Sequence, residues 1–496
     1  MSGRQDDRAR PQDGGASRGR SQAPRRPRTR AGTPERTVQP ARRVAYEVLR
    51  AVSESDAYAN LVLPPTIAEA RLTPQDAALA TELTYGTLRR RGTYDAIISA
   101  AADRPADQID GPVLDALRLA THQLLSTRVA SHAAVNESVN LVAAAQGRGA
   151  SSFANAVLRR ISRQTPGEWE QRIESAARSD DERLALRSAH PVWVIRALRR
   201  ALAAEERADE LDDLLEADNV SPDVTLVALP GMAEPGEPRR PYAPTAYGSP
   251  GGDPHRVIAE SGGTVRVQDE GSQLVALALA AAAPIRAGER WLDLCAGPGG
   301  KTALLAAIAH TNGVTLEANE VVPTRARLVR NAVRAVPGEV IVHERDGRTF
   351  GAARPAEFDR ILVDAPCTGL GALRRRPEAR WRKTPGDVAD LVPLQIELLS
   401  SALDAVAPGG IVAYVTCSPH LAETVGVVSG VLRGRTDVSE VDARAVLSGV
   451  ADSPIDLASD GSGRAQLWPH RHGTDAMFVA LLRRDDDPGV RAGEGD

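Results

Sequence analysis

The sequence predicts a multidomain protein with an all-α N-terminal domain, a mixed α+β connecting subdomain and a C-terminal α/β domain. Residues 38–165 place apolar side chains at helical spacing, and residues 166–265 mix helical and strand patterns. After residue 288, apolar strands alternate with helices, which predicts a parallel sheet with ligands at the strand carboxyl ends. The chain has 496 residues, of which 42% are hydrophobic, so it can form more than one core.

A basic, polar segment opens the chain. Residues 1–37 hold ten arginines and four acidic residues among glycine, proline, serine and glutamine. Because this composition buries too little apolar surface to fold, we predict a disordered basic tail able to neutralise nucleic-acid phosphates. A solvated extension without function explains the segment equally well, since the whole chain carries a net charge of −4. Residues 486–496 predict an acidic tail.

Residues 38–165 predict a helical domain without a catalytic cluster. Thr73 followed by a proline is typical of a capped helix start. Helical spacing recurs in four further segments, at 42–52, 113–119, 134–142 and 153–161. Several arginines are candidate phosphate contacts, although each alone is more often a surface charge: Arg89, Arg90, Arg91, Arg159 and Arg160.

The connecting subdomain is predicted over residues 166–265. A helical pair is expected between His190 and Ala217, and a strand is expected at 223–229. Residues 230–255 are dense in proline and glycine, which predicts a loop or an insertion.

A glycine-rich turn follows the apolar strand predicted at 290–295 and leads into a helix. Such a turn lets the backbone approach a ligand and points helix N-terminal amides at an anionic group. The dinucleotide fingerprint G-x-G-x-x-G is the alternative, but Thr302 replaces its third glycine and Pro298 stiffens the turn. A ligand with a carboxylate and no phosphate fits better, and S-adenosylmethionine is one.

Two acidic residues at later strand ends extend this candidate site. Glu320 follows the strand predicted at 313–319, at the place where an acid holds a ribose diol. Asp346 follows the strand predicted at 339–343 and is a candidate adenine contact, although a plain turn aspartate explains it nearly as well.

Two cysteines stand fifty residues apart, after strands predicted at 359–364 and 410–416: Cys367 in Asp-Ala-Pro-Cys-Thr-Gly and Cys417 in Thr-Cys-Ser-Pro. Carbon 5 of cytosine becomes nucleophilic only after a thiolate adds to carbon 6, and that thiolate must later leave. Two thiols can therefore serve two steps of cytosine-C5 methylation. Two arbitrary cysteines would more often be buried structural thiols, but the setting of this pair favours catalysis.

Together these segments closely resemble the bacterial 16S ribosomal RNA cytosine-C5 methyltransferases that carry a NusB-like domain before the catalytic domain. The resemblance covers roughly residues 38–485 and is most specific at DLCAGPGGK (293–301), DAPCTGLG (364–371) and TCS (416–418). It implies an RNA-binding NusB-like domain at 38–165 and a Rossmann-like class I methyltransferase domain at 266–485. Ala476 departs from the family pattern, which has glycine there, and we expect this to alter packing only.

The resemblance also assigns roles. It implies that Cys417 is the nucleophile and that Cys367 assists release of the methylated base, while Asp364 would accept from the cytosine amino group. The segment 265–273 would lie near cofactor and base. No metal ligand is expected. S-adenosylmethionine would be bound by Leu294, Cys295, Ala296, Gly297, Pro298, Gly299, Gly300, Lys301, Glu320, Arg325, Asp346 and Asp364.

These observations predict methylation of carbon 5 of a specific 16S rRNA cytosine through a covalent Cys417 adduct. A tRNA cytosine-C5 methyltransferase would use the same chemistry, but the NusB-like domain disfavours it. An RNA-binding assembly factor with an inert methyltransferase domain is disfavoured by the intact thiols and turn. After Cys367 comes a run of arginines, some of which should grip RNA phosphate unless they are simply solvated: Arg374, Arg375, Arg376 and Arg380.

Composition argues against other classes. Three cysteines do not make a disulfide scaffold, no apolar stretch is long enough for a membrane span, and the arginine-rich start is not a secretory signal. We therefore expect a cytoplasmic monomer that binds 16S rRNA and neither membrane nor DNA.

Overall fold

The computed structural model describes residues 38–55, 57–128, 131–251, 254–459 and 461–486. The basic tail predicted for 1–37 lies outside these residues, as does the acidic tail beyond Asp486.

The N-terminal part is helical, as predicted. Thr73 caps one helix by accepting a hydrogen bond from the Asp76 amide, and Pro74 occupies the first helical position. Non-helical backbone at Gly147 (φ 81°, ψ −172°) interrupts the last and longest of these helices. The helices are α1 (Pro40–Glu54), α2 (Ala59–Glu69), α3 (Pro74–Arg89), α4 (Arg91–Ala102), α5 (Gly111–Ser126) and α6 (Ser131–Ile161).

The connecting part contains helices followed by a small antiparallel sheet. Its elements are α7 (Pro166–Glu174), α8 (Asp180–Ser188), α9 (Val192–Ala204), α10 (Leu211–Ala217), β1 (Thr225–Ala228), β2 (Ala246–Gly248), α11 (Pro254–Glu260) and β3 (Val265–Val267). β1 lies between β2 and β3. Residues 230–245 form a loop, in agreement with the loop or insertion predicted at 230–255, but β2 and the start of α11 also lie in that segment and were not predicted. Three strand residues between prolines carry no periodic signal, and only pairing with β1 reveals them.

The C-terminal part alternates strands and helices around one large sheet. Its elements are α12 (Glu270–Ala281), β4 (Arg290–Asp293), α13 (Gly300–Thr311), β5 (Thr315–Asn319), α14 (Pro323–Val333), β6 (Ile341–His343), α15 (Phe350–Ala353), β7 (Phe358–Asp364), α16 (Ala379–Arg382), α17 (Pro385–Ala405), β8 (Val406–Thr416), α18 (Val425–Leu432), β9 (Val438–Val441), α19 (Ala443–Val450), β10 (Ala465–Gln466), α20 (Pro469–His472) and β11 (Phe478–Arg484). Within the described residues, no helix has the length and apolarity needed to cross a membrane.

The sheet order is β10-β11-β8-β7-β4-β5-β6, with β9 paired to β11. Strands β8, β7, β4, β5 and β6 are mutually parallel, so their carboxyl ends meet at one edge, as predicted. Alternate residues of β7 enter different cores: Leu362 packs in one and Ile361 and Val363 in the other. Burial on both faces explains why these strands read as continuous apolar runs.

The segment after Cys367 joins the catalytic sheet to the helical part. Arg380 is fully buried and donates to the carbonyl oxygens of Ala189 (3.1 Å) and Asp218 (3.1 Å) and to Asn219 Oδ1 (2.9 Å). The Glu378 carboxylate accepts from the Ala59 amide at 3.1 Å. Arg380 is therefore structural, and the expectation that it could grip RNA was wrong.

Candidate active site

Cys367 and Cys417 lie side by side although they are fifty residues apart in sequence. They follow the adjacent parallel strands β7 and β8, which pair Val363 with Tyr414 and Asp364 with Val415. This register brings the two loops to the same height above the sheet edge, and the two Sγ atoms are 3.5 Å apart. That distance is short enough for a thiol to donate a hydrogen bond to a thiolate.

The two sulfurs are electrostatically different. A hydrogen bond from the Cys367 thiol lowers the pKa of Cys417, and the cations of Lys301 and Arg376 act in the same direction. The same contact, together with burial, raises the pKa of Cys367 well above its usual value. Cys417 is thus the group that ionises first, and a thiolate is the nucleophilic form of cysteine.

An ion pair holds the Asp364 side chain beside the thiols. Lys301, near the start of α13, places Nζ 2.9 Å from Asp364 Oδ2. Burial opposes the charge on Lys301, but the Asp364 carboxylate outweighs it and raises the pKa of Lys301. One Asp364 oxygen is therefore oriented by the protein, and the side chain remains partly exposed at the site.

The glycine-rich turn packs closely against the neighbouring helix α14. Gly299 has φ of 104°, and a Cβ there would lie 2.6 Å from Ala332 Cβ. At Gly297 the amide donates to Glu320 Oε2 (3.1 Å) and the carbonyl accepts from Arg325 Nη2 (2.6 Å). Glu320 and Arg325 therefore brace the turn from the neighbouring strand and helix.

Two buried oxygens beside this turn have no hydrogen-bond partner in the part of the chain that the structure describes: Asp293 Oδ1 and Gln268 Oε1. The other Asp293 oxygen accepts from Thr302 Oγ1 at 2.7 Å, and burial raises the pKa of Asp293 to about 7. Gln268 lies across Gly300. A buried acceptor without a donor is costly, so the pair suits a ligand carrying an ammonium group. The predicted ligand set omitted both residues, although Asp293 ends the strand that leads into the turn.

Three other residues predicted to bind the cofactor differ in how far the protein itself already engages their side chains: Glu320, Asp346 and Cys295. Glu320 is buried and also accepts from the Val322 amide at 3.0 Å. Asp346 caps a short turn, and the guanidinium of Arg348 holds both carboxylate oxygens and lowers its pKa. That arrangement matches the alternative of a plain turn aspartate. Burial raises the pKa of Cys295, so this third thiol is not activated.

The arginines after Cys367 separate into two groups. Arg374 is buried and donates to the carbonyl of Gly473 at 2.9 Å, so it joins Arg380 as a structural residue. Arg375 and Arg376 are exposed. Arg375 pairs with the fully buried Asp475, and Arg376 lies over the ring of Tyr58 at 5.5 Å. Only these two members of the run remain candidates for RNA phosphate.

Ala476 fits its site because Gly371 faces it. The Ala476 amide donates to the Gly371 carbonyl at 2.9 Å, and a Cβ on Gly371 would lie 2.8 Å from that of Ala476. The methyl group at 476 therefore takes the space left by a residue without a side chain.

The sheet is mixed, because β11 pairs antiparallel with β8, β9 and β10. Its parallel strands, with the glycine-rich turn and the paired thiols at their carboxyl ends, define a Rossmann-like methyltransferase domain that follows a helical domain in the sequence. Residues 280–483 match the family described as 16S rRNA methyltransferase RsmB/F, and residues 39–163 match the NusB family. The chain therefore belongs to the RsmB/F family of 16S rRNA methyltransferases. Both matches confirm the resemblance seen in the sequence.

Relatives and solved structures agree with this membership. A Mycobacterium tuberculosis protein, provisionally named a methyltransferase, is 49% identical over 467 residues, covering 92% of this chain and 99% of the relative. Ribosomal RNA small subunit methyltransferase B of Erwinia tasmaniensis is 30% identical over 464 residues, covering 88% and 97%. The crystal structure of PH0851 superposes with a TM-score of 0.75 at 23% identity, covering 90% and 99%, and shows the same fold.

Proposed function

We propose that the protein methylates carbon 5 of a specific cytosine in 16S rRNA through a covalent adduct with Cys417. The observation that carries this proposal is the pair of sulfurs, 3.5 Å apart, in the loops that follow the neighbouring parallel strands β7 and β8. A methyltransferase acting on oxygen or on an exocyclic nitrogen has no need of two thiols, whereas the C5 reaction needs addition at carbon 6 and later elimination.

In this proposal the cysteines act in sequence. The Cys417 thiolate adds to carbon 6 of the cytosine and makes carbon 5 nucleophilic. After methyl transfer, a base must take the carbon-5 proton so that the carbon–sulfur bond can break and its electron pair can return to Cys417. We assign that proton transfer to Cys367, which no longer faces a thiolate once Cys417 is bonded to carbon 6. Asp364, oriented by Lys301, accepts from the cytosine amino group and holds the base against both sulfurs.

S-adenosylmethionine, when bound, would supply an electrophilic methyl group. The residues around the turn fit this cofactor. The oxygens of Asp293 and Gln268 that accept from none of the described residues would accept from its ammonium group, and turn amides near the start of α13 would face its carboxylate. Glu320 has lone pairs left for the ribose hydroxyls, because each carboxylate oxygen accepts one hydrogen bond from the described residues, and Arg325 adds an ion pair with Oε2 at 3.5 Å.

The name of the Erwinia relative and the NusB family match support ribosomal RNA as the substrate. We assign RNA binding to residues 38–165, a connecting role to 166–265 and catalysis to 266–485, and we place the enzyme in the cytoplasm with its substrate. The base must be unstacked to reach the partly buried sulfurs, which favours a loop or an unpaired nucleotide.

Two assays test the proposal. Purified protein and methyl-labelled S-adenosylmethionine should label 16S rRNA much more than tRNA, and bisulfite sequencing should place 5-methylcytosine at a single position. Preferential labelling of tRNA would favour the tRNA alternative. If calorimetry detects no S-adenosylmethionine binding and no RNA is labelled, the domain is inert and the protein is an assembly factor.

A further inference from the structure

Glu423 lies beneath the two cysteine loops and is fully buried. Its Oε1 accepts from the Thr368 amide at 2.8 Å, and its Oε2 accepts from the hydroxyls of Thr368 and of Ser418, the latter at 2.6 Å. Thr368 follows Cys367 directly and Ser418 follows Cys417 directly. One carboxylate therefore joins the residues next to both sulfurs.

A second layer orients this carboxylate. Gln395 of α17 is fully buried, and its Nε2 donates to the Pro366 carbonyl at 2.8 Å and to Glu423 Oε1 at 3.2 Å. The buried Tyr414 hydroxyl donates to the backbone carbonyl of Glu423 at 2.7 Å. Both the side chain and the main chain of Glu423 are thus fixed from helix α17 and strand β8.

The free energy needed to bury the Glu423 carboxylate indicates that this residue does more than fill space in the core. Among the described residues, the hydrogen-bond donors to the Glu423 carboxylate are all neutral: Thr368, Ser418 and Gln395. A buried carboxylate without a cation is expensive unless its lone pairs are satisfied. An apolar residue would fill the same volume at lower cost but could not tie two loops together.

We propose that Glu423 is a positioning residue whose carboxylate sets the separation of the Cys367 and Cys417 sulfurs. The inference rests on the two-thiol chemistry proposed above, because only that chemistry needs a fixed distance between the sulfurs. Glu423 touches neither base nor cofactor in this account and acts through Thr368 and Ser418. Together with the Cys417 sulfur and burial, its charge also raises the pKa of Cys367, which keeps that thiol protonated until the Cys417 thiolate has added to carbon 6.

The rate at which Cys367 and Cys417 form a disulfide reports on the distance between their sulfurs and does not depend on methylation. Diamide takes two electrons and two protons from a pair of adjacent thiols and is reduced to the hydrazine, leaving a Cys367–Cys417 disulfide that peptide mass spectrometry detects. We expect closure to slow by about tenfold to a hundredfold in Glu423→Gln, because a displaced reacting atom costs rates of that order. Ser418→Ala removes a single hydrogen-bond donor to Glu423 and should slow disulfide formation by a smaller factor. This variant tests the same proposal if Glu423→Gln folds poorly.

Glu289→Gln is the matched control. Glu289 is another buried carboxylate, accepting from Arg360 Nε (2.9 Å) and Trp291 Nε1 (2.8 Å), but it precedes β4 at the opposite end of the strands. Its substitution should lower thermal stability while disulfide closure keeps the wild-type rate. Equal closure rates in wild type, Glu423→Gln and Ser418→Ala would overturn the proposal, as would a wild-type protein in which no disulfide closes.

Steady-state kinetics provides the second measurement. A positioning role predicts that Glu423→Gln lowers kcat at least about tenfold, with KM for RNA and for S-adenosylmethionine unchanged. A rise in KM with kcat preserved would overturn it. If the wild type methylates no cytosine, the proposed function fails, yet the closure rates still decide whether Glu423 sets the sulfur distance.

Discussion

Replacing Gly299 by alanine tests whether the close packing of the glycine-rich turn against helix α14 requires a glycine. The added Cβ would lie 2.6 Å from Ala332 Cβ and 2.9 Å from Val329 Cα, and φ at this position is 104°. Backbone strain of about 1–3 kcal/mol adds to about 1–3 kcal/mol for overpacking, so we expect a loss of about 2–6 kcal/mol. A loss of that size is a large part of the total stability of a typical domain.

The adjacent Gly300 provides the control. A Cβ there would meet nothing nearer than Gln268 Cδ at 3.7 Å, and its backbone is already helical. Gly300→Ala should therefore change the free energy of unfolding by less than about 1 kcal/mol. Urea unfolding followed by tryptophan fluorescence compares the two variants. Equal midpoints for Gly299→Ala and Gly300→Ala would refute the claim that Gly299 is sterically required.

Three further outcomes follow from the contacts. Glu320→Ala should weaken S-adenosylmethionine binding by about 1–3 kcal/mol, because it removes the proposed acceptor of two ribose hydroxyls; unchanged affinity by calorimetry would contradict that role. Arg380→Met should destabilise the protein by about 3–5 kcal/mol in urea unfolding, since it leaves four acceptors without this donor; a wild-type midpoint would mean that water replaces the guanidinium. Deleting residues 1–37 should reduce RNA affinity and flatten its dependence on salt without changing S-adenosylmethionine affinity, and an identical salt slope would show that these arginines contact no phosphate.

Much of the catalytic domain could be predicted because its strands are buried on both faces. Continuous apolar runs gave the five parallel strands, and parallel pairing alone places Asp293, Asp364 and Cys417 at one edge. The thiol pair could be predicted for the same reason. The loops after two neighbouring strands must lie together, whatever their separation in sequence.

Other features had no local signal. Arg374 and Arg380 belong to a charged run that is typical of a solvated surface, and they are buried only because distant backbone carbonyls receive them. Glu423 sits in an ordinary stretch before α18, and its importance depends on Thr368, fifty-five residues earlier. β2 is too short for periodicity to show. Long-range contacts decide each of these cases, and sequence patterns report mainly local ones.

The central claim, that Cys417 adds to the base and Cys367 assists its release, is tested most directly by trapping the covalent complex. Each variant would be incubated with 16S RNA and S-adenosylmethionine and run on a denaturing gel. Cys367→Ala should form the adduct and then stall, giving a slowly migrating protein–RNA band, whereas Cys417→Ala and the double variant should give none. A stalled band with Cys417→Ala and none with Cys367→Ala would contradict the assignment and exchange the roles of the two thiols.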